Sequence, residues 1–449
     1  MKTQDTITSG PIVRTVFSLA LPVVLGMVME IALSVVNFFW VGKLGPAAQD
    51  AITSSMVVHW AVFSTISIVA IGTTALVSRH IGAKEPEQAS YYTSQALWLA
   101  LVLGIVITIL GLTFGGSLLR FMKTGPETTA LALPYLHIFF LTPVMFAIFD
   151  TIAATFRAAG NTRTPTIVAA VTILLNIGLD PLFIFGLGPF PEMGVAGAAV
   201  ATLLSTIVAM IVSVWLLLKG RAGFAVPSVF RSRPDFGSIA RIAKIGIPIS
   251  TQQLTFIIVY WFLIRIVHEF GEPAGAAMGI GNRMESISYL TCSGFAIAAS
   301  TMVGQNIGAG NPDRAAKCAW FASGAAVVIT TIIGAFFVAI PEPIVSIFTS
   351  DPAVHKIATD YLIILGLSQM TMAIEIVIEG AFAGAGDTIP PMLVMIPGAI
   401  VRVPLAYFLA FNLGWGINGV WWTLTITTTI KATILALWFS RGRWKLRKL

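Results

Sequence analysis

The chain has 449 residues, of which 56% are apolar and 10% are charged, and its mean hydropathy is +0.88. A soluble protein carries about a quarter charged residues, and a single soluble core stops growing near about 250–300 residues. The composition therefore excludes a soluble globular protein and indicates that lipid surrounds most side chains. The net charge of +7 does not indicate nucleic-acid binding, because the basic residues cluster in short gaps between long apolar runs.

Twelve apolar runs are long enough to cross a membrane, since a spanning helix needs about 20 mostly apolar residues. The connections between them are short and rich in Gly, Pro, Asn and Asp, which is typical of helix ends. The predicted spans are 13–41, 51–78, 91–117, 133–159, 165–187, 194–219, 242–269, 274–303, 316–340, 356–384, 390–411 and 416–440. The predicted fold class is an all-α polytopic membrane protein with twelve transmembrane helices.

The distribution of Lys and Arg predicts the orientation of these spans. With both termini inside, the inner segments hold 19 of these residues and the outer loops hold four. The four outer ones are Lys43, Arg120, Lys123 and Lys356. Because basic residues are retained on the cytoplasmic side, we expect a multi-pass protein of the plasma (inner) membrane with both termini in the cytoplasm.

Several motifs of the first half recur in the second half at a constant offset of 226 in residue number. The repeated pairs are ALVSRHIGAKEPEQA and TMVGQNIGAGNPDRA (ending at Ala89 and Ala315), FRAAGNTRTP and FAGAGDTIPP (ending at Pro165 and Pro391), Pro22 and Pro248, and Tyr135 and Tyr361. GVAG at 194–197 matches GING at 416–419 with a shorter offset of 222. Agreement at several separated places on one offset indicates a duplicated chain.

Six spans separate the two copies, so both copies cross the membrane in the same direction. This predicts two six-helix bundles related by a pseudo-two-fold axis along the membrane normal. The predicted parts are an N-terminal lobe at 1–220, a cytoplasmic linker at 221–241 and a C-terminal lobe at 242–449. Two such lobes favour alternating access, and hence secondary active transport, over a fixed pore, which normally needs a ring of subunits.

Ionisable side chains deep in the predicted spans are costly, at about 2.5–3.5 kcal/mol each on insertion scales, so they are expected to pair, to face a cavity or to function. Six carboxylates and four bases lie at such depth. They are Glu30, Asp150, Asp180, Glu285, Glu375, Glu379, Arg265, Arg283, Arg402 and Lys431.

The N-terminal half contains a candidate cation or proton site. Asn176 and Asp180 are four residues apart, so they share one helix face. Asp150, Asn37 and Thr202, on three other spans, complete a set of carboxylate, amide and hydroxyl oxygens. A hard cation such as Na⁺ prefers these ligands, and the same carboxylates could carry protons in a drier site. Hydrogen bonding between helices is the structural alternative for Asn176, Asp150 and Thr202.

A second polar cluster is predicted in the C-terminal half. Glu375 and Glu379 are four residues apart on one helix face, and Arg402 matches Asn176 at the offset of the repeat. Charge pairing of Arg402 with one glutamate would leave the other free to titrate. Glu30, on the first span, is expected either to line the central cleft or to anchor the two lobes.

Aromatic and methionine side chains along the spans would suit lipophilic aromatic cations, through dispersion and cation–π contacts. The structural alternative is that they face lipid or pack between helices. The cleft candidates are Phe63, Phe139, Phe149, Trp60, Tyr260, Trp261, Met284 and Met302.

The ordered series of motifs resembles the multidrug and toxic compound extrusion (MATE) family over the whole chain. The segments that carry the resemblance are NFFWVGKLG, RAAGNTRTP, NIGLDPLFIFG, GVAGAAVAT, GNRMESIS, VGQNIGAGNP and GAGDTIPP. The resemblance implies a V-shaped pair of bundles that exports drugs or metabolites in exchange for H⁺ or Na⁺. In the bacterial and archaeal branch it implies a cation site lined by Asp180, Asn176, Asp150 and Thr202.

One position departs from that branch, which usually has an aspartate where this chain has Asn37. The missing carboxylate weakens the expectation of tight Na⁺ binding, while Asp180, with Asp150 in support, is still able to carry a proton. Another branch uses an acidic residue in the seventh span; the matching place here is Phe256. The resemblance therefore excludes that branch's mechanism for this chain.

Other functions remain open as alternatives. A related lipid-linked oligosaccharide flippase should have a strongly cationic cleft, whereas here the deep carboxylates outnumber the deep bases by six to four. A membrane enzyme should show a catalytic constellation, but the five histidines are scattered without a spaced partner. We therefore expect a monomeric antiporter for small molecules, with no catalytic activity, no nucleic-acid partner and no cofactor or metal besides a coupling H⁺ or a Na⁺ at Asp180.

Overall fold

The computed structural model describes residues 7–121, 124–226 and 232–447. Lys2, Lys123 and residues 227–231 of the predicted linker lie outside the described residues. All regular secondary structure in the described ranges is helical, which confirms the predicted all-α fold class. The α-helices are α1 Ile12–Gly42, α2 Pro46–Gly82, α3 Pro86–Phe121, α4 Pro126–Phe139, α5 Pro143–Ala158, α6 Arg163–Phe185, α7 Val195–Leu218, α8 Phe236–His268, α9 Glu272–Gly308, α10 Pro312–Ala339, α11 Pro341–Ser346, α12 Pro352–Gly366, α13 Gln369–Ala385, α14 Ile389–Tyr407 and α15 Ile417–Ser440.

Ten of these helices are individually long and apolar enough to cross a membrane, in the part of the chain that the structure describes. Two further spans are bent pairs: α4 with α5, at 51°, and α12 with α13, at 55°. Counting each pair as one span gives up to twelve, in agreement with the sequence. The sequence predicted one continuous helix for each bent pair, so the two breaks are new information from the structure.

Matching hydroxyl groups stabilise the two breaks. The Thr142 hydroxyl donates to the Phe139 carbonyl at 2.8 Å, and the Ser368 hydroxyl donates to the Leu365 carbonyl at 3.0 Å. Thr142 and Ser368 are themselves equivalent positions of the repeat. In the first pair Pro143 begins the second helix, and its missing N–H prevents the hydrogen-bond ladder from continuing. The breaks therefore belong to the repeat, even though only one of them contains a proline.

The contacts within the chain define two compact units. Among the described residues, one unit comprises Leu25–Gly246 and the other comprises 7–24 together with 247–447. Each division falls inside a helix close to a proline, at Pro22 in α1 and at Pro248 in α8. These units follow contacts, whereas the lobes predicted at 1–220 and 242–449 follow the repeat, so the predicted lobe and linker bounds stay predictions.

The end of the connection before α8 is held within the first unit by Asp235. Its carboxylate accepts hydrogen bonds from the Ser238 hydroxyl at 2.7 Å, the Tyr91 hydroxyl at 2.8 Å and the Gly237 amide at 3.1 Å. These donors, the Ser238 hydroxyl first, lower the pKa of the Asp235 carboxyl from its ordinary 3.8 to about 2. The carboxylate is therefore ionised, and the contact intact, until the pH approaches that value.

Small residues allow α9 and α13 to pack closely in the second unit. A Cβ atom on Gly384 would overlap the Ser300 carbonyl, and one on Gly380 would overlap the Ala296 carbonyl. The two glycines are one helical turn apart, so they form one contact stripe. This stripe lets α13 approach α9, the neighbour that carries Glu285.

We expect Gly384→Ala to destabilise the protein by about 1–3 kcal/mol, because the backbone that the new methyl group meets cannot move aside easily. Thermal unfolding in detergent measures the effect. The matched control is Gly324→Ala in α10, where the position is exposed and an added Cβ meets open space. Equal midpoints for the two variants would contradict the close contact of α9 with α13.

Candidate functional site

Asp180 is the centre of the polar group in the first unit. It lies near the end of α6 and its side chain is fully buried, at 0% exposure. The Asn37 side chain, from α1, contacts one carboxylate oxygen and donates to it when its amide nitrogen faces Asp180. The other carboxylate oxygen, Oδ1, has no hydrogen-bond partner among the described residues. Asp180 is thus half-satisfied, which is unusual for a buried carboxylate.

Asn176 connects Asp180 to α7. Its amide lies 3.3 Å from the Thr202 hydroxyl. When its nitrogen faces Asp180, it donates there at 3.3 Å and its oxygen accepts from the Thr202 hydroxyl. The structure therefore brings together four of the five residues that the sequence proposed for this site: Asp180, Asn176, Asn37 and Thr202.

Asp150 forms a separate charged group. Its carboxylate pairs with Arg157, two turns further along α5, at 3.1 Å. The exposed side chain of Glu30 lies within electrostatic reach of both. Within the described residues, Asp150 makes no hydrogen bond to Asp180. Arg157 is not among the deep ionisable residues identified from the sequence, so the sequence did not predict this pair.

Tyr135 and His59, which contact each other, were not among the sequence candidates for this site. Tyr135, on α4, lies within electrostatic reach of Asp180. Its hydroxyl contacts Nε2 of His59, on α2, at 3.2 Å. The sequence marked Tyr135 only as a repeat position, and it found no spaced partner for His59. The spacing of residues along the sequence did not reveal this contact, because the two partners lie on different helices.

In the second unit, Glu375 and Glu379 have different kinds of partner. The Lys431 amine, on α15, pairs with Glu375 at 2.6 Å, and both side chains are largely buried, at 6% and 14% exposure. Glu379 instead accepts a hydrogen bond from the Gln252 amide at 2.8 Å. The sequence expected a base beside one of the glutamates, and the structure identifies Lys431, rather than Arg402, as the residue in direct contact.

Arg402 is held mainly by hydroxyl groups. Its Nε and Nη2 donate to Thr427 and Thr428, both at 2.9 Å, and its guanidinium lies over the Phe256 ring, 5.9 Å from the centroid. Glu375 and Glu285 act on it electrostatically. Arg402 and Asn176 occupy the same repeat position, and each links its helix to the last helix of its own half.

A tyrosine also organises this cluster. The Tyr361 hydroxyl lies 3.2 Å from Asn282 Oδ1 and 3.4 Å from Glu285 Oε2. Asn282 in turn donates to the Tyr260 hydroxyl. The three deep carboxylates of the second unit therefore have different partners: Glu285 a tyrosine hydroxyl, Glu375 a lysine and Glu379 an amide.

Comparison with known proteins agrees with this architecture. The MatE family model matches residues 22–182 and again residues 248–408. The second match begins and ends at the same offset from the first as the motifs of the sequence repeat. The chain belongs to the MatE family. It is therefore a member of a family of membrane transporters.

The relatives of this MatE-family chain include a probable multidrug resistance protein NorM from Thermotoga maritima, 29% identical, covering 97% of this chain and 93% of that protein. An FAD transporter from Shewanella oneidensis is 27% identical, covering 85% and 84%. A crystal structure of MATE in the straight conformation superimposes with a TM-score of 0.92 at 24% identity, covering 100% of each chain. This last likeness shows the fold.

The buried ion pair yields a stability prediction. Glu375→Gln leaves the Lys431 amine buried without its counter-charge, so we expect a loss of about 3–5 kcal/mol in the free energy of unfolding. The double variant Glu375→Gln with Lys431→Gln should recover most of that loss, since neither charge remains. Thermal and denaturant unfolding in detergent measures both.

The control is Lys445→Gln, which breaks the Lys445–Asp313 pair, whose carboxylate is 88% exposed. Exposed pairs contribute about 0–1 kcal/mol, so this variant should match the wild type. A Glu375→Gln protein as stable as Lys445→Gln would show that Glu375 does not neutralise Lys431.

Proposed function

We propose that this MatE-family transporter exports small, lipophilic or cationic organic compounds in exchange for protons, with Asp180 as the proton carrier. The observation that carries the proposal is the half-satisfied, fully buried Asp180 carboxylate. The names of several relatives, as probable multidrug resistance proteins, support export of organic compounds. The parallel repeat supports alternating access.

The contact between Asn37 and Asp180 supports a proton as the coupling ion. An ionised Asp180 needs the Asn37 amide nitrogen as a donor, whereas a protonated Asp180 donates to the amide oxygen. The contact is thus satisfied in both states by a turn of one amide. A bound Na⁺ would instead need several oxygens directed at it, and an aspartate at Asn37 would supply one. Na⁺ is the alternative that the tests below address.

Proton binding would act on the packing of α1 against α6. Asn37 and Asp180 lie on these two helices of the same unit, and Pro22 interrupts the hydrogen-bond ladder of α1. A change in the hydrogen bonds at Asp180 therefore changes how the outer part of α1 is held. We propose that this change accompanies the release of substrate and the return of the emptied carrier.

Glu379 is proposed as a second titrating group. Glu375 is neutralised by Lys431, whereas the contact of Glu379 is the neutral Gln252 amide. Lys431 and Glu375 also act on Glu379 electrostatically. We propose that Arg402 and Glu375 balance charge in this cluster. We also propose that Glu30 acts electrostatically on the ion pair of Asp150 with Arg157.

The flippase alternative is not favoured by the second unit. A pyrophosphate site needs uncompensated cations, but Lys431 is paired with Glu375, and Arg402 lies in the field of Glu375 and Glu285. We propose a monomer in the plasma membrane with both termini in the cytoplasm. We also propose that it has no catalytic activity, nucleic-acid partner or cofactor besides the coupling ion.

Asp180→Asn should abolish proton-driven efflux, because an amide cannot exchange a proton, while leaving the amount of folded protein unchanged. Ethidium efflux from proteoliposomes under a pH gradient measures this. Asp50→Asn is the control: it also removes one carboxylate from the first unit, but from an exposed position bonded to Thr128. Wild-type efflux by Asp180→Asn would reject the proposal, and efflux of labelled FAD or scrambling of labelled lipid would identify another substrate class.

Asn37→Asp should add Na⁺-driven efflux to the proton-driven activity, since two carboxylates in contact cannot both ionise without a cation between them. A Na⁺ gradient imposed without a pH gradient measures the gain. Asn418→Asp is the matched control, because Asn418 also donates to an aspartate, Asp360, at 3.0 Å, but in the second unit. If the wild type already responds fully to Na⁺ alone, proton coupling is wrong.

A further inference from the structure

A groove lies between α6 and α7 in the first unit. Its volume is about 260 Å³ and its wall is almost entirely apolar. The lining residues recur every three or four positions on both helices, so each helix contributes one face. They include Thr164, Ile167, Val171, Val208, Val212 and Leu216. The groove therefore follows the two helices as an apolar channel along their contact.

The groove is open at the surface of the unit, because the lining residues Ile167, Val171 and Val208 are all exposed. On α6 the lining extends from Thr164 to Thr172, which corresponds to a rise of about 12 Å. One half of a bilayer's hydrocarbon core is about 15 Å thick. The groove therefore has nearly the depth that an acyl chain occupies in one leaflet.

One end of the groove carries three exposed basic residues. Arg163 directly precedes Thr164 at the beginning of α6, and Lys219 and Arg221 follow the end of α7. The Asn161 amide joins the two helix ends, since it donates to the Thr164 hydroxyl at 2.8 Å and to the Arg221 carbonyl at 3.4 Å. The basic residues of both helices therefore belong to the same end of the groove.

The side chain of Lys219 turns back toward the groove. Its amine lies over the Trp215 ring, 4.9 Å from the centroid, and Trp215 is next to the lining residue Leu216. Trp215 is itself exposed. An exposed tryptophan with a lysine amine at the end of a spanning helix is typical of the boundary between acyl chains and headgroups. The basic end of the groove is therefore at the level of the lipid headgroups.

Acidic residues of the same two helices do not balance this charge. Residues 159–226 contain three basic residues, all at this end, and two carboxylates, Asp180 and Glu192. Asp180 is eight residues beyond the last lining residue of α6, a rise of about 12 Å, and Glu192 follows the far end of that helix. Arg163 and Lys219 form no ion pair within the described residues. A molecule with an anionic head and an apolar chain therefore complements the groove, whereas a lipophilic cation does not.

We propose that this groove binds an anionic phospholipid, with one acyl chain between α6 and α7 and the phosphate at Arg163 and Lys219. Basic pockets between transmembrane helices bind anionic headgroups by the same attraction. The bound lipid bridges the beginning of α6 and the end of α7. Further along the same helices, Asn176 and Thr202 form the contact beside Asp180. The lipid therefore holds together the two helices on which most of the candidate site is built.

Quenching of Trp215 fluorescence by brominated lipids tests this site. The full-length protein in detergent is titrated with phosphatidylglycerol or phosphatidylcholine, each brominated on one acyl chain, and the same titration of Trp215→Phe is subtracted. We expect saturable quenching with a several-fold preference for phosphatidylglycerol. One basic residue contributes about fivefold to the attraction of an anionic lipid surface, so Arg163→Gln with Lys219→Gln should reduce the preference by roughly fivefold or more.

Two further variants separate the headgroup contact from the acyl-chain contact. Val208→Phe fills the groove without changing any charge, so it should weaken the quenching by both lipids alike. The matched control is Lys84→Gln with Arg120→Gln, which also removes one lysine and one arginine from exposed positions of the first unit, but away from the groove. This control should keep the wild-type preference.

Thermal unfolding in detergent provides a second measurement. Phosphatidylglycerol should raise the midpoint of the wild type more than that of Arg163→Gln with Lys219→Gln, because a ligand stabilises the state that binds it. Equal quenching by the two lipids in the wild type, or an unchanged preference in the Arg163 and Lys219 double variant, would overturn the proposal. Stronger quenching by a brominated alkylamine would also overturn it and would identify the groove as a site for cationic substrates. None of these outcomes depends on the role of Asp180.

Discussion

An ionisable side chain among apolar helices must be met by donors, by an opposite charge, by a proton or by a cation, because water is not there to solvate it. The two units meet this requirement to different degrees. In the second, Lys431 and Glu375 neutralise each other and Arg402 binds two threonine hydroxyls. In the first, Asp180 has amide partners on one oxygen and none, among the described residues, on the other. Glu375 likewise has one carboxylate oxygen without a hydrogen-bond partner, so the difference is that Glu375 is paired with a lysine, whereas Asp180 forms no ion pair among the described residues.

The repeat explains how one backbone frame carries such different chemistry. Asn176 and Arg402 occupy equivalent positions, and so do His59 and Glu285. The helix-to-helix links are preserved in kind, because the backbone positions are equivalent, while the side chains change length and charge. Duplication therefore supplies two scaffolds: in one a deep carboxylate is paired with a lysine, and in the other Asp180 has amide partners and no ion pair among the described residues.

The bend in the fourth span determines which neighbours its two parts contact in the first half. A bend of 51° between α4 and α5 lets the two parts pack on different neighbours: α4 chiefly on α7 and α2, and α5 chiefly on α3 and α2. Tyr135, on α4, consequently contacts His59, whereas Asp150, on α5, pairs with Arg157. Tyr135 and Asp150, which belong to one predicted span, therefore have different partners.

The sequence by itself established that lipid surrounds the protein. It also established the number and repeat of the spans and most of the residues that contact Asp180. It could do so because lipid imposes long apolar runs, and because the four-residue spacing of Asn176 and Asp180 is a local property of one helix. Only the tertiary structure decided the partners: Arg157 for Asp150, Lys431 for Glu375, and His59 for Tyr135. Partnership between helices depends on how they bend and pack, and neither spacing nor composition records that.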